Sequence, residues 1–176
     1  MHQPPAQPPR HPYLLPSQEK ALRKALESRR PEAPVVVLGV GSELRSDDGA
    51  GIRVAAMVEA LHLGGVRTLD GGSAPENCTA EIRLLSPSHV IIVDAAGMGE
   101  PPGTVRLLDA SAVGGAAFGT HGLPLGVLAA YLEREIGCRV LLIGIQPANV
   151  EHGETLSVEV TAAVAELAAA LRSCLA

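Results

Sequence analysis

VVVLGVGSELRSDDGAGIRV, residues 35–54, decides the fold of this 176-residue chain. Its first six residues, Val35–Val40, are a continuous apolar run of the length and β-branched content of a fully buried strand. Gly39 and Gly41 then allow a tight turn, because glycine alone takes any φ at little steric cost. Two adjacent acids follow, Asp47 and Asp48, and Gly49 and Gly51 flank the start of a helix expected over Ala50–His62. In that helix Ala50, Val54, Met57, Val58 and Leu61 recur at helical spacing. Two carboxylates therefore sit in the turn between a strand end and a helix start.

Downstream, the same alternation repeats. Short strands are expected at Val66–Leu69, His89–Val93, Thr104–Leu108 and Val140–Ile145. Helical stretches are expected from the turn at Ser73–Glu76 to about Leu84, after Pro124 (Leu125, Leu128, Leu132 and Ile136 on one face), and over Val158–Leu175. Strands alternating with helices imply an α/β, three-layer sandwich: a mostly parallel five-stranded sheet flanked by helices. The short connection into Thr104–Leu108 predicts an antiparallel hairpin with the preceding strand at the sheet edge. Upstream, residues 1–16 hold six of the 14 prolines and are expected to be a disordered or locally polyproline extension. Residues 17–34 are expected to form a helix capped by Ser17, with Leu22 and Leu26 on one face, and a linker into the main domain at 35–176.

Composition narrows the function. The length suits one domain, and with aromatics at 2% the core falls to Val, Leu, Ile and Ala. A net charge of -5 carries no nucleic-acid footprint. Cys78, Cys138 and Cys174 show no metal-finger or CxxC spacing and predict reduced thiols. No apolar run approaches the roughly 20 residues of a bilayer span, and the N-terminus lacks a signal-peptide core. A soluble, cytoplasmic protein is expected, with a monomer as the default.

In open parallel sheets, sites form beyond the carboxyl ends of the strands, where strand order reverses. Asp48 follows the first strand and Asp94 ends the third, and these strands flank the switch point of a 2-1-3 order. His121 lies in a glycine-rich loop, Gly114–Gly122, that could reach the same edge. Two carboxylates and an imidazole suit a divalent ion such as zinc or nickel. Each has a plainer reading: Asp47 or Asp48 as a helix cap, Asp94 as a loop-turning acid, His121 as a hydrogen-bonding loop residue. Asp70 follows the second strand, where a dinucleotide-binding fold places its ribose acid, but Gly39–Leu44 lacks the third glycine of GxGxxG. The P-loop, the GxSxG elbow and HExxH are all missing from the sequence.

GVGSELRSDDGAG (Gly39–Gly51) resembles the GxGNxLxxDDGxG signature of the nickel–iron hydrogenase maturation endopeptidases. The resemblance continues in family order through LDGGSAPEN (Leu69–Asn77), VDAAGMG (Val93–Gly99), THGLPL (Thr120–Leu125) and GIQPANV (Gly144–Val150), covering about residues 35–172. DGGSAPEN, THGLPL and GIQP are most similar to the subgroup that processes the large subunit of the formate hydrogenlyase hydrogenase. The resemblance implies an endopeptidase that removes a C-terminal extension from a nickel-loaded large-subunit precursor. It also implies metal contact by Asp48, Asp94 and His121. The nickel is expected to be the precursor's, with zinc or cadmium as an alternative occupant in a crystal. Two roles stay open: the triad reads the precursor's nickel as a checkpoint, or a metal held there polarises the carbonyl or activates water. Asp47 is a candidate general base or supporting acid, and Cys78, with no histidine partner, is read as structural. Ser42 departs from the family's asparagine, losing an amide donor. The alternative is a non-catalytic metal- or precursor-binding chaperone of the same fold.

Overall fold

The computed structural model describes residues 12–109 and 124–176. The elements run α1 (Pro16–Leu26), β1 (Val35–Val40), α2 (Ala50–Glu59), β2 (Val66–Gly72), α3 (Thr79–Leu85), β3 (His89–Ala95), β4 (Val105–Leu108), α4 (Leu125–Ile136), β5 (Arg139–Ile145) and α5 (Val158–Leu175). Short 3-10 turns at Ser46–Gly49 and Pro75–Cys78 lead into α2 and α3.

The five strands form one sheet in the order β2-β1-β3-β5-β4. Four are parallel, and β4 closes one edge antiparallel. The expected edge strand is therefore present, but its partner differs from the hairpin reading. β4 pairs with β5, Val105 opposite Ile145 and Leu108 opposite Leu142, and not with β3. The reason is that β3 already carries parallel neighbours on both sides, Val35 to Gly39 on one and Arg139 to Ile145 on the other. The chain after β3 must therefore pass over the site of β5 to reach an open edge.

Period-two alternation sends successive strand residues into two separate cores. Val35, Val37, Ile91, Val93, Ile143 and Ile145 face α1, α2 and α5. Val36, Leu38, Val40, Val90, Ile92 and Leu142 face α3 and α4. Strands buried on both faces need no polar face, which is why β1 and β3 read as unbroken apolar runs.

The N-terminal helix packs on the domain. Leu22 and Leu26 are buried in the core beside α5. Its start differs from the expectation. Ser17 lies inside the helix, Leu15 stands at the cap position without a side-chain bond, and Pro16 begins the first turn. Proline has no N–H to satisfy there, so a capping oxygen is less needed. The segment before it is held by long-range bonds. Tyr13 and Leu14 N–H groups donate to the Glu166 carboxylate at 3.2 and 2.9 Å, and Leu14 bridges Val105 of β4. The outer edge of β4 is thus partly paired. No helix among the described residues is long and apolar enough to cross a membrane.

Candidate active site

The strand order puts the reversal between β1 and β3, as 2-1-3 topology requires. Both acids singled out from the sequence come to this crevice. Asp48 lies in the 3-10 turn that opens α2, and Asp94 near the carboxyl end of β3.

Two glycines bring them together. A Cβ on Gly51 would fall 2.1 Å from the Val93 oxygen and 2.5 Å from the Val40 oxygen. Only glycine lets the first turn of α2 press against both strand ends at once. Gly41, at φ +129°, has no room either, since a Cβ there would lie 1.7 Å from the Asp48 oxygen. The glycine spacing of Gly39–Gly51 is therefore what seats the acid-bearing turn on the ends of β1 and β3.

Asp94 is 3% exposed. Burial, and then the negative charge of Asp48, push its carboxyl up to about 7, although a hydrogen bond with the Ala95 backbone pulls the other way. The charge of Asp48 thus reaches Asp94 across the crevice. None of the four ion pairs among the described residues involves either acid. A buried carboxylate facing a half-buried one of like charge is costly and is relieved by a proton or a dication. His121 lies outside the described residues, and among those described no group of three His, Cys, Asp or Glu side chains forms a metal site.

The neighbouring acid does a different job. Asp47 is 0% exposed. Its carboxylate accepts from Ala148 N (2.8 Å), Asn149 N (3.1 Å), Ser157 N (2.6 Å) and Ser157 Oγ (3.0 Å). A carboxylate so enclosed has no open face for substrate, which corrects the general-base reading. It staples the β5–α5 connection to the acid-bearing turn. Ser46 N reinforces this by donating to Gly153 O at 2.7 Å, and Gly153 N donates to Leu44 O at 3.0 Å.

Gln146 was quoted in the GIQP motif without a role. Its Oε1 accepts from Met98 N at 2.6 Å and Glu100 N at 3.3 Å, fixing the loop that leaves Asp94. The only signal in the sequence was the motif itself, since the partners lie 46 and 48 residues away. Asp70 is exposed and accepts from Gly72 N at 2.9 Å, a local turn rather than a ribose site. Cys78 donates weakly to the Asp70 carbonyl, and burial pushes its thiol up, away from nucleophilic character. All three cysteines are free.

A cleft also lies elsewhere among the described residues. About 740 Å³ opens between the end of α1, the Gly64–Val66 turn and the end of α5. Its arginines serve the backbone: Arg23 donates to Ser173 O and Arg29 to Cys174 O, satisfying carbonyls at the end of α5. The two acids singled out from the sequence, Asp48 and Asp94, lie instead at the carboxyl ends of the strands.

The family model for the HycI hydrogenase maturation proteases matches residues 52–173, beginning just past the DDG turn. The hydrogenase 3 maturation protease of Escherichia coli K12 is 42% identical over 113 residues, 64% of this chain and 72% of that one. The crystal structure of a [NiFe] hydrogenase maturation protease HycI from Thermococcus kodakarensis KOD1 superposes with a TM-score of 0.79 at 29% identity, covering 88% of this chain and 98% of that one. The solution structure of the endopeptidase HycI from Escherichia coli gives 0.70 at 37% identity, covering 77% and 87%.

Proposed function

This chain belongs to the hydrogenase maturation protease family, and from that premise we propose that it removes a C-terminal extension from the nickel-loaded large-subunit precursor of a nickel–iron hydrogenase. The observation that carries the reading is the coupled pair Asp48 and Asp94 at the switch point, one of them buried and raised to about 7.

The nickel belongs to the substrate. Asp48 and Asp94 are the acids that would contact it, with His121 as the third ligand by family resemblance. The chemistry of the pair suits this role. Burial and the charge of Asp48 favour a proton on Asp94 near neutral pH, so the pair resists the full charge of two anions. A dication entering between them would take the proton's place, and Asp94 would ionise. Empty precursor offers no such charge, so the pair would discriminate loaded from unloaded substrate. Gln146 and Asp47 hold the flanking loops in place while this happens. The reaction is hydrolysis of one peptide bond, carried out by a monomer in the cytoplasm. Aspartic-type chemistry is the corresponding class, with the acids at the site and no serine or cysteine paired there with a histidine base among the described residues.

The test is incubation of the purified protein with a candidate large-subunit precursor, with and without nickel, followed by intact mass. Loss of a C-terminal peptide from the loaded form alone is the expected result. Cleavage of both forms would remove the nickel checkpoint and keep the protease. Binding without cleavage of either would replace the protease reading with the chaperone.

A further inference from the structure

The Asp47 staple does more than stiffen a loop: it presents apolar side chains to solvent at the rim of the site. Leu44, four residues before Asp48, is 57% exposed, and Val150 is 37% exposed. They come from two connections far apart in the chain that are locked together. Gly153 N donates to Leu44 O, Arg45 Nε donates to Val150 O at 3.2 Å, and Asp47 holds Ala148 and Asn149. Val158, which follows the stapled Ser157, is also exposed. Large apolar side chains held in water by a buried hydrogen-bond network suit a docking surface, since little conformational freedom remains to be lost on binding.

From this we infer that the Leu44–Val150 rim is the docking surface for the precursor, receiving an apolar side chain flanked by lysine or arginine. The inference rests on the protease reading. The occupant follows from position and charge. The rim adjoins the turn that carries Asp48, so a chain whose scissile bond reaches that acid passes beside it. Glu151 and Glu154 are exposed beside Val150, and neither enters an ion pair among the described residues. Among the described residues, Glu151 and Glu154 outnumber the one guanidinium at this rim, Arg45, whose Nε is taken by the Val150 carbonyl. An apolar centre so bordered is complementary to an apolar residue with basic neighbours. Leu84, the most exposed large apolar side chain among the described residues, does not compete for this role. Leu84, at 87%, lies on α3, against the opposite core.

The experiment is steady-state processing of loaded precursor by the full chain carrying Leu44→Glu, Val150→Glu, Glu151→Lys with Glu154→Lys, or Leu84→Glu. The expected result is a KM raised about tenfold by Leu44→Glu or Val150→Glu, with kcat nearly kept. The double lysine variant should raise KM several-fold and reduce its dependence on salt. Leu84→Glu should match the parent. Thermal unfolding of each variant checks that the fold persists. Wild-type KM in folded Leu44→Glu and Val150→Glu would overturn the docking surface while leaving the protease intact. If the parent cleaves no precursor, the protease reading fails. Surface plasmon resonance of precursor binding to the same variants then decides the rim, with undiminished binding by folded Leu44→Glu overturning it.

Discussion

His89 and Asp94 sit five residues apart on β3, one at each end of the strand. Both are buried, at 1% and 3% exposure, and burial pushes both toward the neutral form. Their surroundings then diverge. At the amino end, His89 Nε2 lies 3.2 Å from the Ala25 carbonyl. A carbonyl only accepts, so Nε2 carries the proton, and helix α1 closes over the ring. Its other nitrogen, Nδ1, has no hydrogen-bond partner among the described residues. At the carboxyl end, Asp94 faces a second acid. Burial alone therefore does not mark a site. What separates the two ends is that one group has been given its partner by the fold, while the other has been set against a like charge.

The sharpest way to break this comparison is to neutralise the acid pair. Asp48→Asn should lower precursor processing by at least about 100-fold while the protein stays folded, measured by intact mass of the precursor. His89→Asn should leave kcat within about threefold of the parent in the same assay, because its ring contacts, the Ala25 carbonyl and the Ser28 hydroxyl, lie at the end of β3 away from the acids.

Stability should respond in the opposite sense. Asp94 has a folded pKa of about 7 against 3.8 for its ordinary value, so between these pH values the folded state holds more protons than the unfolded one. Stability contributed by this group is thus present below about pH 4 and lost as pH rises through 7. Asp94→Asn should therefore be more stable than the parent by up to roughly 4 kcal/mol at pH 8, with the gain vanishing at acid pH. Urea unfolding at a series of pH values reads this directly, and no gain at pH 8 would mean that the carboxylate is better solvated than its burial implies.

Asp47→Asn removes half of the staple and should cost about 3 kcal/mol at neutral pH, through donors left facing an amide NH₂. The smallest expected effect belongs to His89. Its folded pKa is lowered, so as pH falls below 6.5 the unfolded chain takes up the proton first and stability declines. His89→Asn should cost about 1–2 kcal/mol at pH 7 and flatten that acid limb, by the same urea titration.

The sequence disclosed what is local. The apolar runs of β1 and β3 and the periodic stripe of α5 marked their elements, the last with both boundaries. Asp48 and Asp94 were legible because strand ends and the switch-point rule place residues without any knowledge of side-chain contacts. The partner of β4 was not legible, since pairing depends on which sheet edge is still open when the strand arrives. The two acids of the DD pair were not separable either. Adjacent in sequence, they point to different neighbours, and the partners of Asp47 lie 101 to 110 residues downstream. Gln146 was hidden for the same reason.

That separation has a consequence for the order in which the protein comes into being. The turn that carries Asp48 is made early in synthesis, yet the groups that shape it, Ala148, Asn149 and Ser157, leave the ribosome more than a hundred residues later. Contacts so distant along the chain form late in folding. The acid-bearing turn therefore takes its final shape only after Ala148, Asn149 and Ser157 have been made.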